Sequence, residues 1–177
     1  MDISASAVKE LRARTGAGVM ECKRALQDAA GNMDKAVEIL RQKGLTKHEK
    51  VAGREVKQGL VESYIHTGGR IGALVEVNCE TDFVARTDEF RTLAREIAMQ
   101  VASMDPKSIG KLEGGDTQSD DVLLNQEYIR NPGKTIRDLV KETIAKVGEN
   151  IQISRFARFE VGTAPSIEEQ EQEQAGQ

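Results

Sequence analysis

GLVESYIHTGGRIGALVEV, residues 59–77, carries the reading on which the fold turns. Leu60, Tyr64, Ile71, Ala73, Val75 and Val77 are β-type residues in alternation, the pattern of strands with one buried face. Between the two arms lies His66-Thr67-Gly68-Gly69-Arg70. A Gly-Gly pair supplies the positive φ that tight hairpin turns require. The stretch predicts an antiparallel hairpin.

Downstream, NCETDFVAR (78–86) follows the apolar run and precedes a helix. Such a junction should be polar, yet Phe83, one of four phenylalanines in 177 residues, stands there beside an acid. The residues alone leave two readings open, core packing or presentation to a partner. Thr87-Asp88-Glu89 reads as a helix start, with acids in the first turn. Phe90, Leu93, Ile97 and Val101, spaced 3, 4 and 4 apart, give that helix a buried face, and Asp105-Pro106 ends it. Residues 105–121 are rich in Gly, Ser and Asp and read as a loop. A short helix is expected around 121–129, stopping at Asn131-Pro132-Gly133. Residues 135–147 are helical, with Ile136, Leu139, Val140, Ile144 and Val147 on one stripe. Gly148-Glu149-Asn150 breaks it, and Ile151, Ile153, Phe156 and Phe159 form a last strand of irregular alternation. The order β-β-α-α-α-β predicts an α+β core over 59–163, a three-stranded antiparallel sheet with helices on one face. The acidic, low-complexity stretch 164–177 reads as a disordered tail.

Upstream, residues 1–45 read as three short helices. Ser4 or Ser6 caps the first, Val8 and Leu11 share a face, and Thr15-Gly16 ends it. Val19, Cys22, Leu26 and Ala29 recur at helical spacing in the second, which Gly31-Asn32 stops. The third starts near Asp34, carries Ala36, Val37 and Leu40, and closes at Gly44. Each is marginal alone, so they must pack as a bundle. Residues 46–58 read as a basic connector, helical or extended, at the boundary between the two units.

A chain of 177 residues accommodates one domain, or a small one beside a larger. With 38% hydrophobic residues, 3% aromatics and no Trp, its core is built from Leu, Ile, Val and Ala. A net charge of −4 argues against a dedicated nucleic-acid binder. The charge is uneven: residues 1–57 hold twelve Lys/Arg against eight Asp/Glu, and residues 160–177 hold five Glu and no base. Cys22 and Cys79, far apart, read as free thiols in a reducing compartment. No apolar run reaches the ~18 residues a membrane span needs, and MDISASAVKELRAR lacks a signal-peptide core. A cytoplasmic protein is expected.

Catalytic chemistry finds little footing. His48 and His66 have no Cys or carboxylates at ligand spacing, so no metal site is expected. No G-x-S-x-G or phosphate-loop motif occurs, and the GAG of residues 16–18 follows a helix rather than a strand. The acid pairs Asp120-Asp121 and Glu168-Glu169 fall in loop and tail. Interaction is left as the default.

Three stretches taken together, VKELRARTGAGVMECKRAL (8–26), VNCETDFVAR (77–86) and KVGENIQISRFARFEVG (146–162), resemble the elongation factor Ts family. The resemblance runs in order from residue 4 to about 162. It implies an N-terminal three-helix domain of ubiquitin-associated type followed by an α+β core. It also implies a non-enzymatic role without cofactor, promoting GDP release from the translational GTPase elongation factor Tu during elongation. On that reading Phe83 wedges between helices of the partner near its magnesium site. Asp82 disturbs the magnesium and phosphate contacts, and Thr81 and Val84 complete the motif. Val19 and Met20 match family contact positions in the helical domain, with Arg12 and Lys23 beside them, and the strand bearing Phe156 and Phe159 belongs to the core that touches the partner's other domains. The chain holds one core half where the longest relatives hold two, which leaves open a homodimer, with an unpaired sheet edge as a natural place for the second copy. Two other classes compete: a protein-interaction adaptor using the three-helix domain, and an RNA-associated protein. An adaptor has no use for TDFV, and the charge and scarce aromatics disfavour RNA.

Overall fold

The computed structural model describes residues 3–112 and 119–163, with residues 44–49 described by backbone alone. The tail expected over 164–177, part of the loop expected over 105–121 and the side chain of His48 lie outside the described residues. The elements are α1 (Ala5–Thr15), α2 (Val19–Asp28), α3 (Met33–Val51), β1 (Gln58–Ile65), β2 (Ile71–Cys79), α4 (Asp82–Ala85), α5 (Asp88–Met104), α6 (Ile136–Val147) and β3 (Ile151–Glu160). A 3₁₀ turn, Leu123–Asn125, precedes α6.

The first three helices form a cluster around Leu11, Cys22, Ala25, Leu26 and Ala36. Ser4 caps α1, accepting the Ala7 N–H at 3.2 Å, and Gly16 closes it in the left-handed region. Glu21 reaches back to the Gly18 N–H at the start of α2. Helix α3 does not close at Gly44. It runs to Val51, whose side chain is buried in the core beneath the sheet. A glycine costs a helix only about 1 kcal/mol relative to alanine. Burial of Val51 offsets that cost, so the first part of the expected connector, residues 46–51, is helix and the rest is turn and extended chain.

The sheet is antiparallel in the order β1-β2-β3. Its inner face carries Ala73, Val75, Val77, Cys79, Ile151 and Ile153, packed with Phe90, Leu93, Ile97 and Val101 of α5 and with Ile136, Val140 and Ile144 of α6. The irregular alternation of β3 has a cause. Glu76 pairs with Arg155 but Val77 with Ile153, so Ser154 is an extra residue in a bulge.

The short helix expected around 121–129 is reduced to the 3₁₀ turn. Gln100, fully buried on α5, takes over its hydrogen bonds. Its amide donates to the Glu127 carbonyl at 3.0 Å and to Gln126 Oε1 at 3.2 Å, and its own oxygen accepts the Ile129 N–H at 3.1 Å. With these partners supplied, the Glu127 carbonyl and the Ile129 N–H are satisfied without helical bonds. Among the described residues no helix covers the outer face of the sheet, where Val61, Ile65, Leu74 and Phe159 stand exposed. No described helix is long and apolar enough to cross a membrane.

Gly59 anchors the register of β1. With φ at +154°, an added Cβ would lie 2.2 Å from the Val77 carbonyl oxygen and 2.8 Å from the Asn78 Cα. Both obstacles are backbone of the central strand and cannot rotate away. Gly59→Ala is expected to cost about 2 kcal/mol or more, lowering the midpoint of a circular-dichroism melt by roughly 4–8 °C.

Candidate functional site

Where β2 ends, the chain must leave the sheet and start α5. Thr81, extended at φ −125° and ψ 155°, caps the single turn α4, its Oγ1 accepting the Val84 N–H at 3.4 Å. Thr87 then caps α5, accepting the Phe90 N–H at 3.3 Å and donating to the Val84 carbonyl at 2.8 Å. Ala85 is buried and Val84 half-buried against the core. Successive residues on a helical turn point about 100° apart, so with Val84 and Ala85 inward Phe83 faces out. It is 78% exposed, more than any other large hydrophobic residue in the described part of the chain. Of the two readings the sequence left open, core packing is excluded.

Asp82 lies 2.8 Å from Arg86 one turn on, both side chains well exposed. Such a pair is worth about 0–1 kcal/mol, so either partner is easily released to another charge.

A set of residues that sequence spacing did not single out holds this turn from below. The Thr81 N–H donates to Glu149 Oε2 at 3.0 Å and its hydroxyl to Glu149 Oε1 at 2.7 Å. In return, Glu80 Oε1 accepts the Asn150 N–H at 2.6 Å. Arg54, in the turn after α3, lies 3.4 Å from Glu80 Oε2, and its carbonyl accepts from the Asn150 side chain at 2.8 Å. Gly148-Glu149-Asn150 reads in sequence only as a helix stop. Its 68-residue separation from Thr81 left no local signal of the contact.

In the helical unit, Val19 is 51% and Met20 59% exposed at the start of α2, and Lys23 follows one turn on. Arg12 is exposed on α1. The apolar spacing that placed Val19 in the core of α2 fails at that end, where the buried stripe starts only at Cys22. Phe156 is half-buried over the inner core, and Phe159 is 68% exposed on the outer sheet face. The structure thus gathers Thr81–Val84 on one turn and Val19, Met20 and Lys23 at one helix start. Among the described residues no group of three or more His, Cys, Asp or Glu is arranged to hold a metal.

Comparison with known proteins finds relatives over nearly the whole chain. The family described as elongation factor Ts matches residues 4–113 and 80–169. An elongation factor Ts of Thermoanaerobacter sp. is 52% identical, covering 90% of this chain and 95% of its own length. That of Carboxydothermus hydrogenoformans is 47% identical, covering 96% and 94%. That of Rippkaea orientalis is 47% identical, covering 99% and 87%.

Beneath the turn, Cys79 donates its thiol to the Thr81 carbonyl at 3.1 Å. Burial, with the Glu149 carboxylate adding to it, pushes that thiol from its ordinary 9.0 up to about 11. The protonated thiol is therefore favoured in the folded state. Its stabilising contribution is complete below pH 9, where neither state ionises, and is lost as pH rises toward 11. Urea titrations of wild type and Cys79→Ala should converge over that window, and iodoacetamide at pH 8 should label Cys79 in the unfolded chain far faster than in the folded one.

Proposed function

The chain belongs to the elongation factor Ts family of translation elongation, and on that footing we propose that it is a guanine-nucleotide exchange factor that binds elongation factor Tu carrying GDP and speeds GDP release. The observation that carries the reading is Phe83, 78% exposed on a turn capped at one end and clamped from below. A large apolar side chain held rigidly in water forgoes about 1.5–3 kcal/mol of burial, which a partner's cleft can recover.

No bond of this chain is made or broken in such a reaction. The factor binds the nucleotide-free partner more tightly than the GDP-bound one, and linkage makes it weaken GDP by the same ratio. Phe83 inserts between partner helices, with Thr81 and Val84 fixing the turn. Asp82 exchanges its weak bond to Arg86 for contacts that disturb the magnesium and phosphate site. Val19 and Met20, flanked by Arg12 and Lys23, dock the helical unit on the same partner. Phe156 and Phe159 lie on the strand that faces its other domains. Translation sets this work in the cytoplasm. Exposed Val19 and Met20 would equally serve an adaptor, and GDP release separates the two readings.

We further propose that a second copy of the chain covers the outer sheet face. The apolar side chains Val61, Ile65, Leu74, Phe159 and Val161 stand exposed at this face rather than along the free edge of β1 or β3. A two-fold contact would bury the same side chains on both copies.

Release of fluorescent GDP from elongation factor Tu tests the first proposal. Wild type should accelerate it. Folded Phe83→Ala should lose about 2 kcal/mol, or roughly 30-fold in rate, and Asp82→Ala less. An unaffected Phe83→Ala would remove the wedge; an inactive wild type would favour the adaptor. Sedimentation equilibrium tests the second. Wild type should run as a dimer at micromolar concentration and Phe159→Arg as a monomer.

A further inference from the structure

We infer that Glu149, 68 residues away in sequence from the turn it holds, is the positioning residue that makes Phe83 a stiff wedge, an inference that rests on the exchange reading above. A four-residue helix cannot support itself, because nucleating one turn fixes about six dihedral angles for a single hydrogen bond. The stability of α4 must come from its cap and from whatever holds the cap.

The Thr81 hydroxyl is asked to do two things at once. It accepts the Val84 N–H at 3.4 Å and lies 2.7 Å from Glu149 Oε1. A carboxylate only accepts, so the hydroxyl proton must point to Glu149. That orientation turns the oxygen's lone pairs toward Val84. Glu149 therefore sets the direction of the cap as well as anchoring the backbone through the Thr81 N–H at 3.0 Å. Both bonds are charge-assisted and half-buried, the stronger class of hydrogen bond.

Glu149 itself stands on a firm base. Gly148 closes α6 in the left-handed region, and Ile151 opens β3 in the core three residues later. The Glu80 side chain returns the contact through the Asn150 N–H, so the two chain segments exchange carboxylate-to-backbone bonds in both directions. Arg54 joins this exchange from the turn that follows α3, through Glu80 and through the Asn150 side chain. The base of the wedge and the exit of the helical unit are held by one network.

A clamp of this kind acts on the step in which the partner is pried open. The remaining contact surface can bind the GDP-bound partner without it. Forcing helices apart requires a wedge that does not yield, so Glu149 contributes to the saturated rate more than to affinity.

The experiment is GDP release from elongation factor Tu loaded with fluorescent GDP, titrated with the full chain. The variants are Glu149→Ala, Glu149→Gln, Thr81→Val and Thr81→Ser. Glu149→Ala and Thr81→Val should each lower the saturated rate about tenfold, in the range that small misplacements of a reacting group produce. The half-saturating concentration should move less than about threefold. The double variant should lose less than the sum of the two singles, since both remove the hydroxyl–carboxylate bond while Glu149→Ala alone frees the Thr81 N–H and Thr81→Val alone frees the Val84 N–H. Thr81→Ser, which keeps the hydroxyl, should restore the rate, and Glu149→Gln should fall between. Hydrogen exchange at the Thr81 and Val84 amides should speed up in Glu149→Ala while the α5 amides stay protected, a readout independent of activity. Folded Glu149→Ala with an unchanged saturated rate, or with unchanged protection at Thr81, overturns the positioning role alone. A wild type that does not accelerate release overturns the exchange reading and this role with it.

Discussion

Among the described residues the helices cover one side of the sheet, and the site follows from that. Strand β2 runs through its centre with Ala73, Val75, Val77 and Cys79 inward, and α5 lies over those residues. The chain leaving β2 at Cys79 must climb into the helix layer and begin α5 at Asp88. Eight residues allow little besides one tight turn between two caps. Of the four residues in that turn, Val84 and Ala85 take the inward positions, and Phe83 is directed to solvent. The exposed phenylalanine is thus a consequence of how a one-sided α+β layer must connect strand to helix. The same constraint leaves Leu74 and Phe159 bare on the outer face.

Elements whose pattern is local were legible in the sequence. The alternation from Leu60 to Val77, the Gly68-Gly69 turn, the stripe from Phe90 to Val101 and that from Ile136 to Val147 each report burial at their own period, and each became the expected strand, turn or helix. Residues decided by distant partners were not. Val51 extends α3 because it reaches the core of the other unit, and nothing between Gly44 and Val51 announces that contact. The segment after Asn125 leaves the helical path because Gln100 bonds to it from another helix. Val19 has the spacing of a core residue but stays 51% exposed at the start of its helix. The motif at Thr81–Val84 could be named, but its support could not. Glu149 and Asn150 look like a helix stop, and only the fold brings them under Thr81.

Strength is distributed around the site according to what must hold and what must move. Thr81, Glu80, Glu149 and Asn150 are joined by half-buried, charge-assisted bonds of 2.6 to 3.0 Å. Breaking one would leave a carboxylate or an N–H without a partner, at about 1–3 kcal/mol. Asp82 and Arg86 are joined only by an exposed pair worth about 0–1 kcal/mol. A partner offering a competing charge can therefore recruit Asp82 at almost no cost, while the backbone beneath it stays fixed. The exchange role proposed for this chain would require that asymmetry. If the base yielded as easily as the tip, the energy of seating Phe83 would go into bending this chain rather than opening the other. The bland surface pair and the hidden clamp are two halves of one device, and the difference in their strengths, rather than either interaction alone, would let binding become displacement.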